Sequence, residues 1–312
     1  MYPKYFNPPR FNCELCFSDQ TKVLCQVAFT EPVLYAHLKE FLPFISEEIF
    51  HTIFEEVKFE VLQCRKCGFI WQKNTPNSQL MERIHNEWFH ADDSLHFQLS
   101  SSAQHFSKLA NENSLISFLL DMPPSKVKVL DYGMGWGERL LSAQSFGYEP
   151  YGVEISKRKI EHVQSKGINA FSSLDEIDQN FHFIFSYGVI DEVLDPVDIV
   201  KKLGRMLEKG GILKICVVNG SWLPEKFNKS KGRWDPGMEG TLPLIQTCCF
   251  TPGTLEKLGS ICGLTKVNPL RIINALASSS YQGSNNIRFI ISCLLKHMIG
   301  TRSGIEIFLE KQ

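Results

Sequence analysis

The sequence predicts an α/β fold, a doubly wound and mostly parallel seven-stranded sheet preceded by a small cysteine-rich module. Three observations carry this. The stretch Val127-Lys-Val-Leu-Asp-Tyr-Gly-Met-Gly-Trp-Gly137 runs an apolar strand into an acid, then into three alternate glycines, before a helix opens at Glu138. That is the first strand–turn–helix of an open sheet. From Val127 onward strand-like and helix-like segments alternate, the pattern of a sheet covered on both faces. Upstream, two Cys-x-x-Cys pairs, Cys13/Cys16 and Cys64/Cys67, set residues 1–75 apart.

Taken in order, residues 47–57 space Ile49, Phe50, Ile53, Phe54 and Val57 as one face of a helix. The cluster Asn74-Thr-Pro-Asn-Ser78 reads as a linker or helix entry. Helices near 79–90 and 103–121 follow, so that residues 76–124 form a helical linker or lid. Residues 127–131 are a strand, and 138–146 a helix closed by Gly147. Residues 150–154 are the second strand, and Ser156 caps a helix that stops at Gly167. Residues 169–171 and 181–187 supply two more strands. Asp195-Pro196 opens a helix that ends at Gly210-Gly211. The unbroken apolar run 212–218 is a strand buried on both faces. A helix over 251–261, a strand over 264–273 and a last strand over 304–310 complete the domain at 125–312, with an insertion at about 275–303.

The formal net charge of −1 excludes a broad electrostatic footprint for nucleic acid. The longest apolar run, Phe289–Leu295, is far shorter than the roughly 20 residues a membrane-spanning helix needs. Met1-Tyr-Pro-Lys-Tyr-Phe has no apolar core of a secretory leader. Ten cysteines in such a chain read as reduced thiols or metal ligands, which predicts a cytoplasmic protein.

The glycine loop narrows the ligand. A dinucleotide fingerprint would need a third glycine where Glu138 stands. Asp131 followed by Gly133, Gly135 and Gly137 instead resembles motif I of class I S-adenosylmethionine (SAM) dependent methyltransferases. The resemblance implies that bare backbone at the glycines admits the methionine part of SAM, with Asp131 orienting the loop or meeting the ligand's ammonium group. Glu154, at the end of the second strand, is placed to accept from both ribose hydroxyls. Ser173 and Leu174 would border the adenine, and Tyr187 would lie beside the sulfonium. Val189-Ile-Asp-Glu-Val-Leu-Asp-Pro196, Gly210-Gly211 and the 243–251 segment resemble further motifs of small-molecule methyltransferases, including those of ubiquinone synthesis and sugar methylation. Cys64-Arg-Lys-Cys-Gly68 resembles the zinc-ribbon module that many sugar-modifying members carry.

Two positions depart from that pattern. Asp191-Glu192 stands for a Glu-His pair, and Gln246 for a second histidine. With Tyr187 they are the available candidates for proton handling, and none is singled out as catalytic. The resemblance implies methyl transfer to a small polar acceptor, with a nucleotide- or polymer-linked sugar as the leading class. A SAM-binding but catalytically silent partner protein is the alternative these departures raise. A dinucleotide-dependent oxidoreductase is disfavoured by Glu138.

Cys13, Cys16, Cys64 and Cys67 predict a closed four-thiolate site for structural zinc. Residues 17–63 separate the pairs, more than the usual spacing, and Cys25, His37 and His51 within them offer a substitute ligand. Trp136 either lines the cofactor pocket or packs. The insertion helix, flanked by Arg288, Lys296 and Arg302, covers the acceptor pocket, lies on a membrane surface or packs on the sheet. The sequence assigns no oligomeric state.

Overall fold

A computed structural model of the chain describes residues 4–88, 103–238, 240–279, 291, 294–301 and 304–312. The elements begin with β1 (Thr21–Ala28), α1 (Pro32–Phe41), α2 (Glu47–Phe54), β2 (Lys58–Cys64), β3 (Ile70–Gln72) and α3 (Ser78–Arg83). Next come α4 (Ala103–Leu120), β4 (Lys128–Tyr132), α5 (Glu138–Phe146), β5 (Glu149–Val153), α6 (Lys157–Gln164), β6 (Asn169–Phe171) and β7 (Phe181–Tyr187). The chain continues with α7 (Pro196–Met206), β8 (Leu207–Val217), α8 (Leu223–Lys229) and β9 (Cys248–Cys249). It finishes with α9 (Pro252–Ile261), β10 (Leu264–Lys266), α10 (Pro269–Ser279) and β11 (Ile305–Lys311). The chain divides into two compact units, the first from Met1–Ala91, Asp191–Pro196 and Val218–Thr254, the second from the remainder.

The first unit is built on a four-stranded sheet in the order β1-β2-β3-β9, antiparallel throughout. Its helices start where side chains satisfy the free backbone donors of a first turn. Glu31 accepts from Val33 and Leu34 at the head of α1, and Asn77 accepts from Leu80 at the head of α3. The predicted stripe on α2 buries Phe50, Ile53 and Phe54 in a core shared with Phe29, Phe59, Leu34, Trp234 and Met238. Much of that core is aromatic, and it includes residues far downstream of the cysteine pairs.

The second unit holds the predicted sheet, seven strands in the order β10-β11-β8-β7-β4-β5-β6. The inner strands are parallel, and β11 and β10 close one edge antiparallel. Gly147, in the left-handed region at φ 100°, ends α5 as its position predicts. Two boundaries differ from expectation. The helix begun at Pro196 stops at Met206, because Leu207 already pairs with Phe181 and a register shift absorbs the Gly210-Gly211 turn. The strand expected over 264–273 stops at Lys266. Asn268 then accepts from the Leu270 N–H, and Pro269 opens α10 in the first helical position.

Candidate functional site

Strand β4 pairs with β5 on one side and β7 on the other, so the chain reverses its direction of progress across the sheet there. In open α/β sheets, ligands occupy the crevice at the carboxyl ends of such strands. The loop 133–137 leaves β4 at that end. Gly133, Gly135 and Gly137 all have positive φ, at 82°, 56° and 77°. At Gly133 a Cβ would lie 2.2 Å from Val189 Cγ2, and at Gly137 2.5 Å from Val163 Cγ2. The glycines thus serve the loop's own fold as well as any ligand.

Glu154, just past β5, reaches the middle of this loop. Its Oε2 accepts from the Gly135 N–H at 3.1 Å, and its Oε1 from the Ser156 N–H at 3.1 Å. Ser173 faces its own turn, accepting from Asp175 N–H, and Leu174 is buried beside it. Trp136 is buried and meets His162 edge-on at 5.2 Å, so it packs on α6.

Asp131 is buried at the end of β4, and burial raises its carboxyl to about 6 against the pull of Arg139. The Arg139 Nε lies 3.8 Å from Asp131 Oδ2, while its Nη1 donates to Glu112 on α4. Glu112 also accepts from Lys214, which lies 3.0 Å from Glu306, which in turn takes Lys296 at 3.0 Å. Burial opposes ionisation of Glu306, yet the two lysines outweigh it and bring the carboxyl down to about 2. Sequence reasoning does not reach this chain of charges. Its one legible signal is Lys214, a cation inside the apolar run 212–218.

Tyr187 ends β7 and remains about half exposed. The Arg139 guanidinium sits 5.2 Å from its ring centroid and the Lys108 ammonium 5.8 Å. Cys216 and burial push the phenol to about 12. It therefore stays protonated near neutrality, suited to donate a hydrogen bond and unsuited to serve as a base. Glu138, in the position of the missing third glycine, has its Oε1 2.9 Å from His105 Nε2.

The two departures meet in the first unit. Gln246 Nε2 donates to Asp191 Oδ2 at 3.2 Å, and Cys248 N–H donates to the Asp191 carbonyl at 3.1 Å. Asp191 is buried, and that burial raises its carboxyl to about 6. Glu192 is only partly buried.

Cys13, Cys16, Cys64 and Cys67 bring their sulfurs together in the same unit, all within 4.8 Å of one another. Each pair forms the same tight turn. Phe17 N–H donates to the Cys13 carbonyl at 2.7 Å, and Gly68 N–H to the Cys64 carbonyl at 3.0 Å. The residue after each second cysteine is left-handed, Gly68 at φ 82° and Phe17 at φ 56°. Cys25 lies instead in the aromatic core of this unit. Arg288 and Arg302 fall outside the described residues, and Lys296 is engaged by Glu306. Among the described residues no helix is long and apolar enough to cross a membrane. A groove of about 440 Å³ lined by Phe118, Leu270 and Arg271 contains none of the predicted site residues.

The profile of the methyltransferase domain family matches residues 103–267, more than half of the chain. The chain belongs to that family. No curated protein matches this methyltransferase-family chain. Several solved structures resemble it. The plantazolicin methyltransferase BamL, in complex with a triazolic desmethylPZN analog and S-adenosylhomocysteine (SAH), is 16% identical, with a TM-score of 0.49 over 75% of this chain and 94% of that one. Magnesium protoporphyrin IX methyltransferase from Synechocystis PCC 6803, with bound SAH, is 10% identical, with a TM-score of 0.49 over 76% and 100%. The cyclopropane synthase MmaA2 from Mycobacterium tuberculosis is 16% identical, with a TM-score of 0.42 over 63% and 82%.

Proposed function

We propose that this chain is a SAM-dependent methyltransferase acting on a small polar acceptor, with a nucleotide- or polymer-linked sugar as the leading class. The observation that carries the donor assignment is the hydrogen bond between Glu154 and the Gly135 N–H. It puts a carboxylate suited to two ribose hydroxyls against the loop suited to the methionine part. Asp131, Gly133, Gly137, Ser173, Leu174 and Tyr187 complete the proposed donor site. Glu138, in the position of the third fingerprint glycine, disfavours a dinucleotide.

When bound, SAM supplies a methyl group on a sulfonium sulfur, which leaves as a thioether. The chain's residues need mainly to hold and align the reactants, because such a displacement gains most from proximity. A hydroxyl acceptor must also lose a proton. Of the candidates Tyr187, Asp191, Glu192 and Gln246, only the two carboxylates have the chemistry of a base.

The four thiols fit a structural zinc ion in the first unit. A tetrahedron with arms of about 2.3 Å has edges of about 3.8 Å. The sulfurs already approach at 3.4 Å for Cys13 and Cys67 and 3.5 Å for Cys16 and Cys64. Lys66 and Cys67 N–H groups donate to Cys64 Sγ, which favours a thiolate there. Four cysteines leave no open position, so zinc here would brace the fold and take no part in chemistry.

Calorimetry with SAM and with NAD tests the donor. SAM should bind and NAD should not. A folded sample that binds no SAM overturns the reading. Tight SAM binding without methylation of any member of a broad sugar and small-molecule panel would favour the silent-partner alternative.

A further inference from the structure

Charged side chains of the second unit alternate in sign along one line that ends at the motif acid. Lys296 faces Glu306 at 3.0 Å, Glu306 faces Lys214 at 3.0 Å, and Lys214 donates to Glu112. Glu112 in turn accepts from Arg139, whose Nε lies 3.8 Å from Asp131 Oδ2. Glu306, Lys214, Glu112 and Asp131 are all buried, so water screens these charges little.

Arg139 does not serve its two acids alike. Its Nη1 donates to Glu112 Oε2, whereas Asp131 has only the longer ion pair with Nε. Lys214 holds the other oxygen of Glu112. A carboxylate already neutralised on one oxygen pulls less on a cation at the second, so Lys214 leaves more of the guanidinium to Asp131. Burial raises the Asp131 carboxyl to about 6, Arg139 on α5 draws it down, and Glu112 on α4 and Glu154 past β5 push it up. Tyr187 on β7 and Cys216 on β8 face Arg139 as well.

We propose that Glu112 and Lys214 are positioning residues for Asp131, apportioning the Arg139 guanidinium and so setting how well the acid receives the ammonium group of the methyl donor. Both act through Arg139 and neither meets the ligand. The ligand half of this proposal rests on the SAM reading, and the charge line stands without it.

Two substitutions should act with opposite signs. Glu112→Gln leaves Lys214 with Glu306 and frees Arg139 for Asp131, so the Asp131 carboxyl should titrate lower. Lys214→Met leaves Glu306 with Lys296 and turns Arg139 to Glu112, so Asp131 should titrate higher. Carbon-detected NMR of the Asp131 carboxyl, in the full chain purified without chelator and without SAM, reads both, with Asp131→Asn assigning the signal. The expected shifts are about half a pH unit or more, down and up respectively. Lys214→Arg should restore the wild-type titration. Calorimetry with SAM at about pH 5 should show Glu112→Gln binding at least about threefold tighter than wild type and Lys214→Met at least about threefold weaker, the three converging near about pH 7.5.

If Lys214→Met does not fold, Lys296→Met gives the same test with the same sign, because Lys214 then turns to Glu306 and yields Glu112 to Arg139. Shifts of one sign in both variants, or none in either, would overturn the proposal. So would carboxyl shifts that leave SAM affinity at the lower pH unchanged. The expected shifts in a protein that binds no SAM would sustain the charge line and overturn the methyl-donor reading.

Discussion

Arg139 and Glu112 share a buried ion pair between α5 and α4, and Arg139 stands between Glu112 and the motif acid Asp131. The guanidinium shares Glu112 with Lys214 and lies beside Asp131. Removing it would leave buried Asp131 without that cation and Glu112 with Lys214 alone. Arg139→Met should therefore destabilise the protein by about 3–5 kcal/mol. Urea denaturation would measure it. A loss below about 1 kcal/mol would show that the acids find other partners.

Glu154→Ala should weaken SAM binding by about 1–3 kcal/mol, because two ligand hydroxyls and the Gly135 N–H lose their acceptor. Calorimetry reads this directly. Unchanged affinity would remove Glu154 from the donor site.

Asp191 predicts a stability gain from a conservative change. Its carboxyl rises from 3.8 to about 6 in the folded chain, so folding favours the protonated form. The stability this gives is complete below pH 3.8 and is lost as the pH rises through about 6. Asp191→Asn removes that loss and should stabilise the protein by about 1–3 kcal/mol at about pH 7.5, with little difference near about pH 4. Melting curves at the two pH values test the sign. A variant less stable at the higher pH would refute it.

The cysteine turns make a paired prediction. Phe17 is a bulky residue in a conformation that costs an L-residue about 1–2 kcal/mol. Phe17→Gly should stabilise the first unit by about that amount, while Gly68→Ala should destabilise it similarly. Elemental analysis of chelator-free protein should find zinc, and Cys64→Ser should lose it. Protein that is folded and free of metal would remove the zinc assignment.

Local features are the ones readable in the chain. The glycine loop, Glu154 and both cysteine turns depend on residues close together, so their spacing is visible in the sequence. The Asp191–Gln246 bond joins positions 55 residues apart, so the two departures could be noticed but not paired. Nothing in the sequence around Glu112 or Arg139 marks the two as a pair. Only the partners they meet in the fold reveal it. At 264–273 the apolar pattern suited a strand, and Asn268-Pro269 was a helix entry that the pattern overshadowed.

The first unit is sewn from three separate stretches, the last ending at Thr254. Phe29, Phe50 and Phe59 leave the ribosome long before Trp234 and Met238, which complete their core. During synthesis those rings must wait, uncovered, while most of the chain is made, and a stretch so exposed invites aggregation. A nascent chain halted at Ala91 would hold both cysteine pairs and much of the aromatic cluster, yet could not close it. Metal capture by the four thiols would then give the early segment an anchor while it waits for the residues that finish it.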